Sequence, residues 1–150
     1  MSYIDSLIQD CKSAKVAIPI KEFEFKKLSD LDGIDQAIYV IEQIDGDIED
    51  TFLGFAKYKA KKDRKCSKLN SPSKVMYVGS SITGVKKRIE QHLGNGHKET
   101  YSLHLKYWFN GDYKITIKQY SETARVLQII EDSLSDQLKP AFGKQGGNNK

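Results

Sequence analysis

A chain of 150 residues, 39% hydrophobic and 10% aromatic, has room for one compact domain and enough apolar surface for its core, so residues 1–150 are read as a single domain. No apolar run approaches the roughly 18 residues of a membrane span, and no signal-peptide pattern follows Met1. These absences point away from a membrane protein and toward a cytoplasmic one. The net charge of +4 is unevenly spread. Residues 1–56 are predominantly acidic, whereas residues 57–73 carry Lys57, Lys59, Lys61, Lys62, Arg64, Lys65 and Lys68 against Asp63. Positive charge gathered after Lys57 suits a polyanion, although a solvated lysine-rich loop would read the same way on charge alone. Cys11 and Cys66 stand in no metal-binding spacing, so both are expected to be reduced, packed thiols.

The first element is a helix. Tyr3, Ile4, Leu7, Ile8 and Cys11 recur at helical spacing, with Ser2 as its N-cap and Asp5 in its first turn. Residues 12–33, punctuated by Pro19 and Gly33, read as a short extended piece and a turn. Residues 36–44 are rich in β-branched and aromatic side chains and predict a strand, with Ala37, Tyr39 and Ile41 on one side and Ile38 and Val40 on the other. Residues 45–74 form a long insertion. In it Ile48, Phe52, Phe55 and Ala56 have helical spacing, followed by the basic stretch and a turn at Pro72.

A second strand is expected at 75–79, then a helix from Val85 to Leu93 with Thr83 as its cap. Residues 101–109 satisfy both periods and are read as a helix. Tyr113, Ile115 and Ile117 alternate with Lys114, Thr116 and Lys118, a strand with one wet face. An amphipathic helix follows from Thr123 to Leu138, ended by Pro140, and a Gly/Asn-rich tail closes the chain.

One position breaks the pattern. Glu131 lies along the apolar stripe of that last helix, beside Leu127, Ile130 and Leu134. A carboxylate there is costly unless it is paired or holds a cation. Upstream, Tyr39 and Tyr77 stand on neighbouring strands, and Arg88 and His92 share one helix face at i and i+4.

Ala37-Ile38-Tyr39, Tyr77-Val78-Gly79, Arg88-x-x-x-His92, Glu131 and the closing Lys139–Gly143 stretch, in that order, resemble the GIY-YIG nuclease superfamily over residues 36–149. The resemblance implies an α/β fold of the α+β sandwich kind: a small three-stranded, mostly antiparallel sheet flanked by helices, with residues 1–35 as an N-terminal extension. It implies a divalent-metal-dependent endonuclease that hydrolyses DNA by water attack, using Mg²⁺ or Mn²⁺ on Glu131. Arg88 would neutralise a phosphate oxygen and Tyr39 would orient the water and accept its proton. Tyr77 would assist by hydrogen bonding, and His92 would relay a proton or contact phosphate. The basic residues of the insertion, with Lys74, are expected to grip DNA, and Lys74 is also placed to lower the pKa of Tyr39. Each of these side chains also has an ordinary structural reading, as a strand tyrosine, a solvated helix face or a carboxylate paired with lysine.

Three departures from the family pattern stand out. Ala37 replaces the usual Gly, the two tyrosines are 38 positions apart, and Gly143 and Lys144 occupy the place of an expected Asn. Asn148 or Asn149 must then complete the site. No zinc spacing or helix-turn-helix signature accompanies the core, so recognition is expected from residues 1–35, from the 45–74 insertion or from a homodimer. The rival readings are an inactive nucleic-acid-binding module on the same fold and a partner-binding protein indifferent to metal.

Overall fold

Four antiparallel strands, β1 (Lys21–Glu24), β2 (Ala37–Gln43), β3 (Val75–Ser81) and β4 (Tyr113–Gln119), form one sheet in the order β1-β4-β2-β3. Four helices, α1 (Tyr3–Val16), α2 (Ile48–Ala60), α3 (Val85–Leu93) and α4 (Ala124–Leu138), complete the α+β architecture among the described residues. The structure, a computed structural model, describes residues 1–144. Asn148 and Asn149 therefore lie outside the described residues.

The sheet has four strands where the sequence suggested three. β1 adds to β4 in register from Lys21↔Gln119 to Glu24↔Thr116. Glu22, Phe23, Glu24 and Phe25 alternate, but over too few residues to distinguish a paired strand from the short extended piece the sequence suggests within 12–33. Yet Phe23 and Phe25 pack against the core, and the Phe25 N–H donates to the Ile115 carbonyl at 2.8 Å.

Alternation along β2 divides the interior into two layers. Ala37, Tyr39 and Ile41 join Ile115, Ile117 and Met76 in a core closed by Phe55 and Tyr58 of α2 and Val85 and Ile89 of α3. Ile38 and Val40, on the reverse face, pack with Val75, Val78, Tyr120 and Leu127 under α4. The split is the one the period of two predicts.

Half of the 45–74 insertion belongs to the core. Phe55 is fully buried, its ring centroid 4.4 Å from Phe142 and 4.9 Å from Trp108. Asp47 caps α2, its carboxylate accepting from the backbone N–H groups of Glu49 and Asp50.

Residues 101–109 are not a helix. They hold a single 3₁₀ turn, Leu105–Tyr107, entered through His104 in the left-handed region at φ +48°. Leu103 and Leu105 are buried, and the Trp108 indole donates to the Leu103 carbonyl at 2.6 Å. The apolar residues of this stretch serve tertiary contacts on more than one side, which is why they satisfied both periods.

Helix α1 carries the expected Ser2–Asp5 capping box. Its apolar stripe, however, faces solvent. Tyr3, Ile4, Leu7, Ile8 and Cys11 are exposed, while Ser6, Asp10, Ser13 and Ala14 are half-buried on the side toward α4. There Asp10 pairs with Arg125 at 3.1 Å. Cys66 is buried as expected, but Cys11 is exposed, and both thiols are free. Among the described residues no helix is long and apolar enough to cross a membrane.

Candidate active site

β3 is an edge strand, and its two halves are treated differently. The closing segment covers the first half, with the N–H groups of Ala141 and Phe142 donating to the carbonyls of Val75 and Met76 at 2.8 and 3.0 Å. Over the second half lies a cleft of about 230 Å³ lined by Tyr39, Tyr77, Arg88 and Glu131. These four side chains come from β2, β3, α3 and α4.

Tyr39 reaches the edge from one strand inside because its neighbour across the register is Gly79. A Cβ at Gly79 would sit 2.5 Å from the Tyr39 hydroxyl oxygen. The missing side chain lets the phenol lie across β3, parallel to the Tyr77 ring at 6.1 Å between centroids. Replacing Gly79 by alanine is therefore expected to destabilise the fold by about 1–3 kcal/mol, the range for overpacking a tight core. The same change should displace the phenol, so the cleavage that the resemblance implies should fall more than stability accounts for. Denaturant midpoints measured beside cleavage rates decide it, and an unaltered rate would place the Tyr39 hydroxyl outside the chemistry.

Behind Tyr39 stands His92, fully buried. Its Nδ1 receives the Leu103 N–H at 3.2 Å, and a backbone amide can only donate. The proton of the neutral ring therefore sits on Nε2, which donates to the Tyr39 hydroxyl oxygen at 3.1 Å. Burial, with the nearby Arg88 charge, holds the imidazole pKa well below its ordinary value, so the ring is neutral. Both nitrogens are occupied, and the ring cannot also touch a phosphate. The phosphate contact expected of His92 is withdrawn on that geometry; a hydrogen bond that orients Tyr39 takes its place.

Arg88 is anchored on three acceptors. Nη1 donates to Gln91 Oε1 at 2.7 Å, and Nη2 donates to the Tyr77 hydroxyl at 3.2 Å and the Tyr101 carbonyl at 3.0 Å. A guanidinium has five N–H donors, so capacity remains for an anion. Its positive charge partly offsets the effect of burial, which together with Tyr77 and Glu131 pushes the Tyr39 phenol above its usual range. Lys74 makes no such contribution. It is exposed at the opposite end of β3, where its carbonyl accepts from the Gln43 N–H. The role expected of it toward Tyr39 is corrected accordingly.

Glu131 arrives from the other face of the sheet. It is buried, and its neighbours in the fold are neutral donors: Ser80 Oγ at 2.6 Å and Gln128 Nε2 at 3.2 Å. Burial raises its pKa despite those two hydrogen bonds, and the more distant Lys144 lowers it only as a minor contribution. A buried carboxylate held by neutral groups at the wall of a polar cleft fits a hard divalent cation that keeps most of its waters. Among the described residues no group of three or more His, Cys, Asp or Glu side chains is placed to hold a metal ion.

The basic stretch divides. Arg64 is structural, donating to the Gly96 carbonyl at 3.2 Å and the Tyr107 hydroxyl at 2.7 Å, with its guanidinium over the Tyr107 ring. Lys65 pairs with Glu99 at 3.2 Å. Lys57, Lys61 and Lys62 are exposed, whereas Lys59 and Lys68 line a hollow beside the cleft.

Sequence reasoning passed over Ser80, Gln128 and Lys144. Ser80 directly follows the Tyr77-Val78-Gly79 motif, and Gln128 stands one turn before Glu131, so spacing could have found both. Lys144 lines the cleft at the position where the missing Asn was sought. On entering α3, Ser81 and not Thr83 supplies the acceptor, for the Gly84 N–H at 3.2 Å. Comparison of the chain with protein-family models, with curated proteins and with solved structures finds no match in any of the three.

Proposed function

We propose that the chain is a divalent-metal-dependent endonuclease of the GIY-YIG type that hydrolyses DNA phosphodiester bonds. The observation that carries this reading is the convergence of Tyr39, Tyr77, Arg88 and Glu131 on one cleft from four separate elements. A further support is the buried carboxylate. A module that only binds nucleic acid gains nothing from a negative charge at its binding face.

In this reading the guanidinium of Arg88 forks onto a non-bridging oxygen of the scissile phosphate, where charge accumulates in the transition state. Tyr77, already tied to Arg88, keeps that fork aimed. The Tyr39 oxygen orients the attacking water and takes its proton. His92 Nε2–H and the Arg88 charge favour the phenolate form that accepts this proton and becomes the phenol, against the cost of burial. Glu131 would hold Mg²⁺ or Mn²⁺, which when bound supplies charge neutralisation at the phosphoryl oxygens. Ser80 and Gln128 fix the carboxylate for that purpose.

Incubating the purified chain with supercoiled plasmid, with Mg²⁺ and separately with a chelator, tests the proposal. Metal-dependent nicking is the expected result. DNA binding without nicking in Mg²⁺ or Mn²⁺ would instead favour the inactive module, and neither binding nor nicking would favour a partner-binding protein.

A further inference from the structure

Next to the cleft, past Tyr77 and Arg88, lies a larger hollow of about 550 Å³, within the ~300–1,000 Å³ range of small-molecule sites. Tyr77, Arg88 and Lys144 line both, so the two spaces adjoin across a shared wall. The hollow adds Lys59, Lys68 and Tyr101 to that lining.

Tyr101 is an aromatic ring that is 61% exposed on a backbone held from several directions. Its carbonyl accepts from Arg88 at 3.0 Å. The adjacent Thr100 carbonyl and the Lys65 carbonyl both lie against Nε2 of buried His104, at 3.0 and 2.8 Å. The next residue, Ser102, bridges to Cys66. Lys65 Nζ stands 5.6 Å from the ring centroid. In the same lining, Lys59 Nζ is fixed by donation to the Ser67 carbonyl at 3.1 Å and keeps further N–H groups for an anion. An exposed aromatic on an anchored backbone, in one lining with two lysines and an anchored arginine, is the composition of a nucleotide site: a ring for a base and cations for phosphate.

Resting on the nuclease reading of the cleft, we infer that this hollow is a substrate subsite for the nucleotide next to the scissile phosphate, with its base unpaired and stacked against Tyr101 and its outer phosphate at Lys59 and Lys68. Within a duplex both faces of a base are covered by its neighbours, so a base can fill this space only by leaving the stack. The preferred substrate class is then single-stranded DNA, or DNA with an unpaired nucleotide at the cut, over an intact duplex.

The test uses the full chain in chelator, so that binding is read without cleavage. The probes are a short oligonucleotide carrying 2-aminopurine and the same oligonucleotide in a perfect duplex. The single strand should bind at least about tenfold more tightly than the duplex, and its 2-aminopurine fluorescence should be quenched on binding. Tyr101→Ala should lose about tenfold in single-strand affinity and abolish the quenching, leaving duplex affinity unchanged, while Tyr101→Trp restores both. Equal affinity for the two probes, or an equal loss on both in Tyr101→Ala, overturns the subsite. Metal-dependent cleavage by wild type, followed in parallel, separates the two readings. Cleavage with no Tyr101 effect removes the subsite alone. Tyrosine-dependent single-strand binding with no cleavage removes the nuclease reading and supports the subsite.

Discussion

Glu131→Gln is expected to abolish plasmid nicking while leaving the fold intact. Glutamine keeps the shape and can still accept from Ser80, so what is lost is the charge that would hold the cation. The stability effect has a definite sign. Burial raises the folded-state pKa of Glu131 above its ordinary value, so the ionised carboxylate costs the native state more than the unfolded one. That cost is present above the folded pKa and disappears as pH falls to the unfolded value, about 4.3 for a glutamate. Without metal, Glu131→Gln should therefore match or exceed wild-type stability at pH 7–8, and the difference should vanish near pH 4. Added Mg²⁺ should raise the melting temperature of wild type and not of the variant, because a ligand stabilises only the state that binds it. Urea midpoints across this range, with and without Mg²⁺, check all three statements. A variant that nicks at the wild-type rate would remove Glu131 from the site.

Arg88→Ala and Tyr39→Phe should each slow single-turnover cleavage by at least about 10²-fold, the scale of a lost electrostatic or general-base group. DNA affinity should change far less. Tyr39 carries a pH signature as well. Because burial pushes its phenol above the usual range, the phenolate is scarce at neutral pH and grows about tenfold per pH unit. The wild-type rate should climb with that slope from pH 6 to 8.5, and Tyr39→Phe should flatten the climb along with the rate. Affinity losses as large as the rate losses would turn both residues into binding groups. A flat wild-type profile would take the general base away from Tyr39.

What the sequence disclosed depended on how many residues voted for each feature. β2, α3 and α4 each repeat their apolar pattern over two or more turns or pleats, and their placement was legible within a residue or two. β1 alternates two phenylalanines with glutamates over too short a run, so the sequence suggests an extended piece and only pairing with β4 makes it a strand of the sheet. The 101–109 stretch is apolar for the sake of Phe55 and Phe142, neither of them near in sequence, and no local period could report that. The candidate site divides along the same line. The order of Tyr39, Tyr77, Arg88 and Glu131 is written in motifs, and Glu131 betrays itself by standing in an apolar stripe. Which charge faces which group is a tertiary fact. It separated Lys74 from Tyr39, turned His92 away from the cleft and gave Arg64 to Tyr107. Gly79 shows the two kinds of information meeting: a motif glycine whose reason is a phenol forty residues earlier in the chain, visible only once the strands are paired.

The segment that seals the first half of β3 is tied down by the insertion. Asn70 donates its side-chain amide to the carbonyls of Pro140 and Gly143 at 3.0 and 2.8 Å, and the Gly143 N–H donates to the Lys68 carbonyl at 2.8 Å. These ties join residues seventy or more positions apart, and closing so long a loop is entropically unfavourable until the intervening chain is ordered. The wall that carries Lys144 therefore takes its position from the 45–74 insertion, although Lys144 lies seventy or more positions further along the chain. A change at Asn70, outside the cleft, would reshape the cleft through that tie.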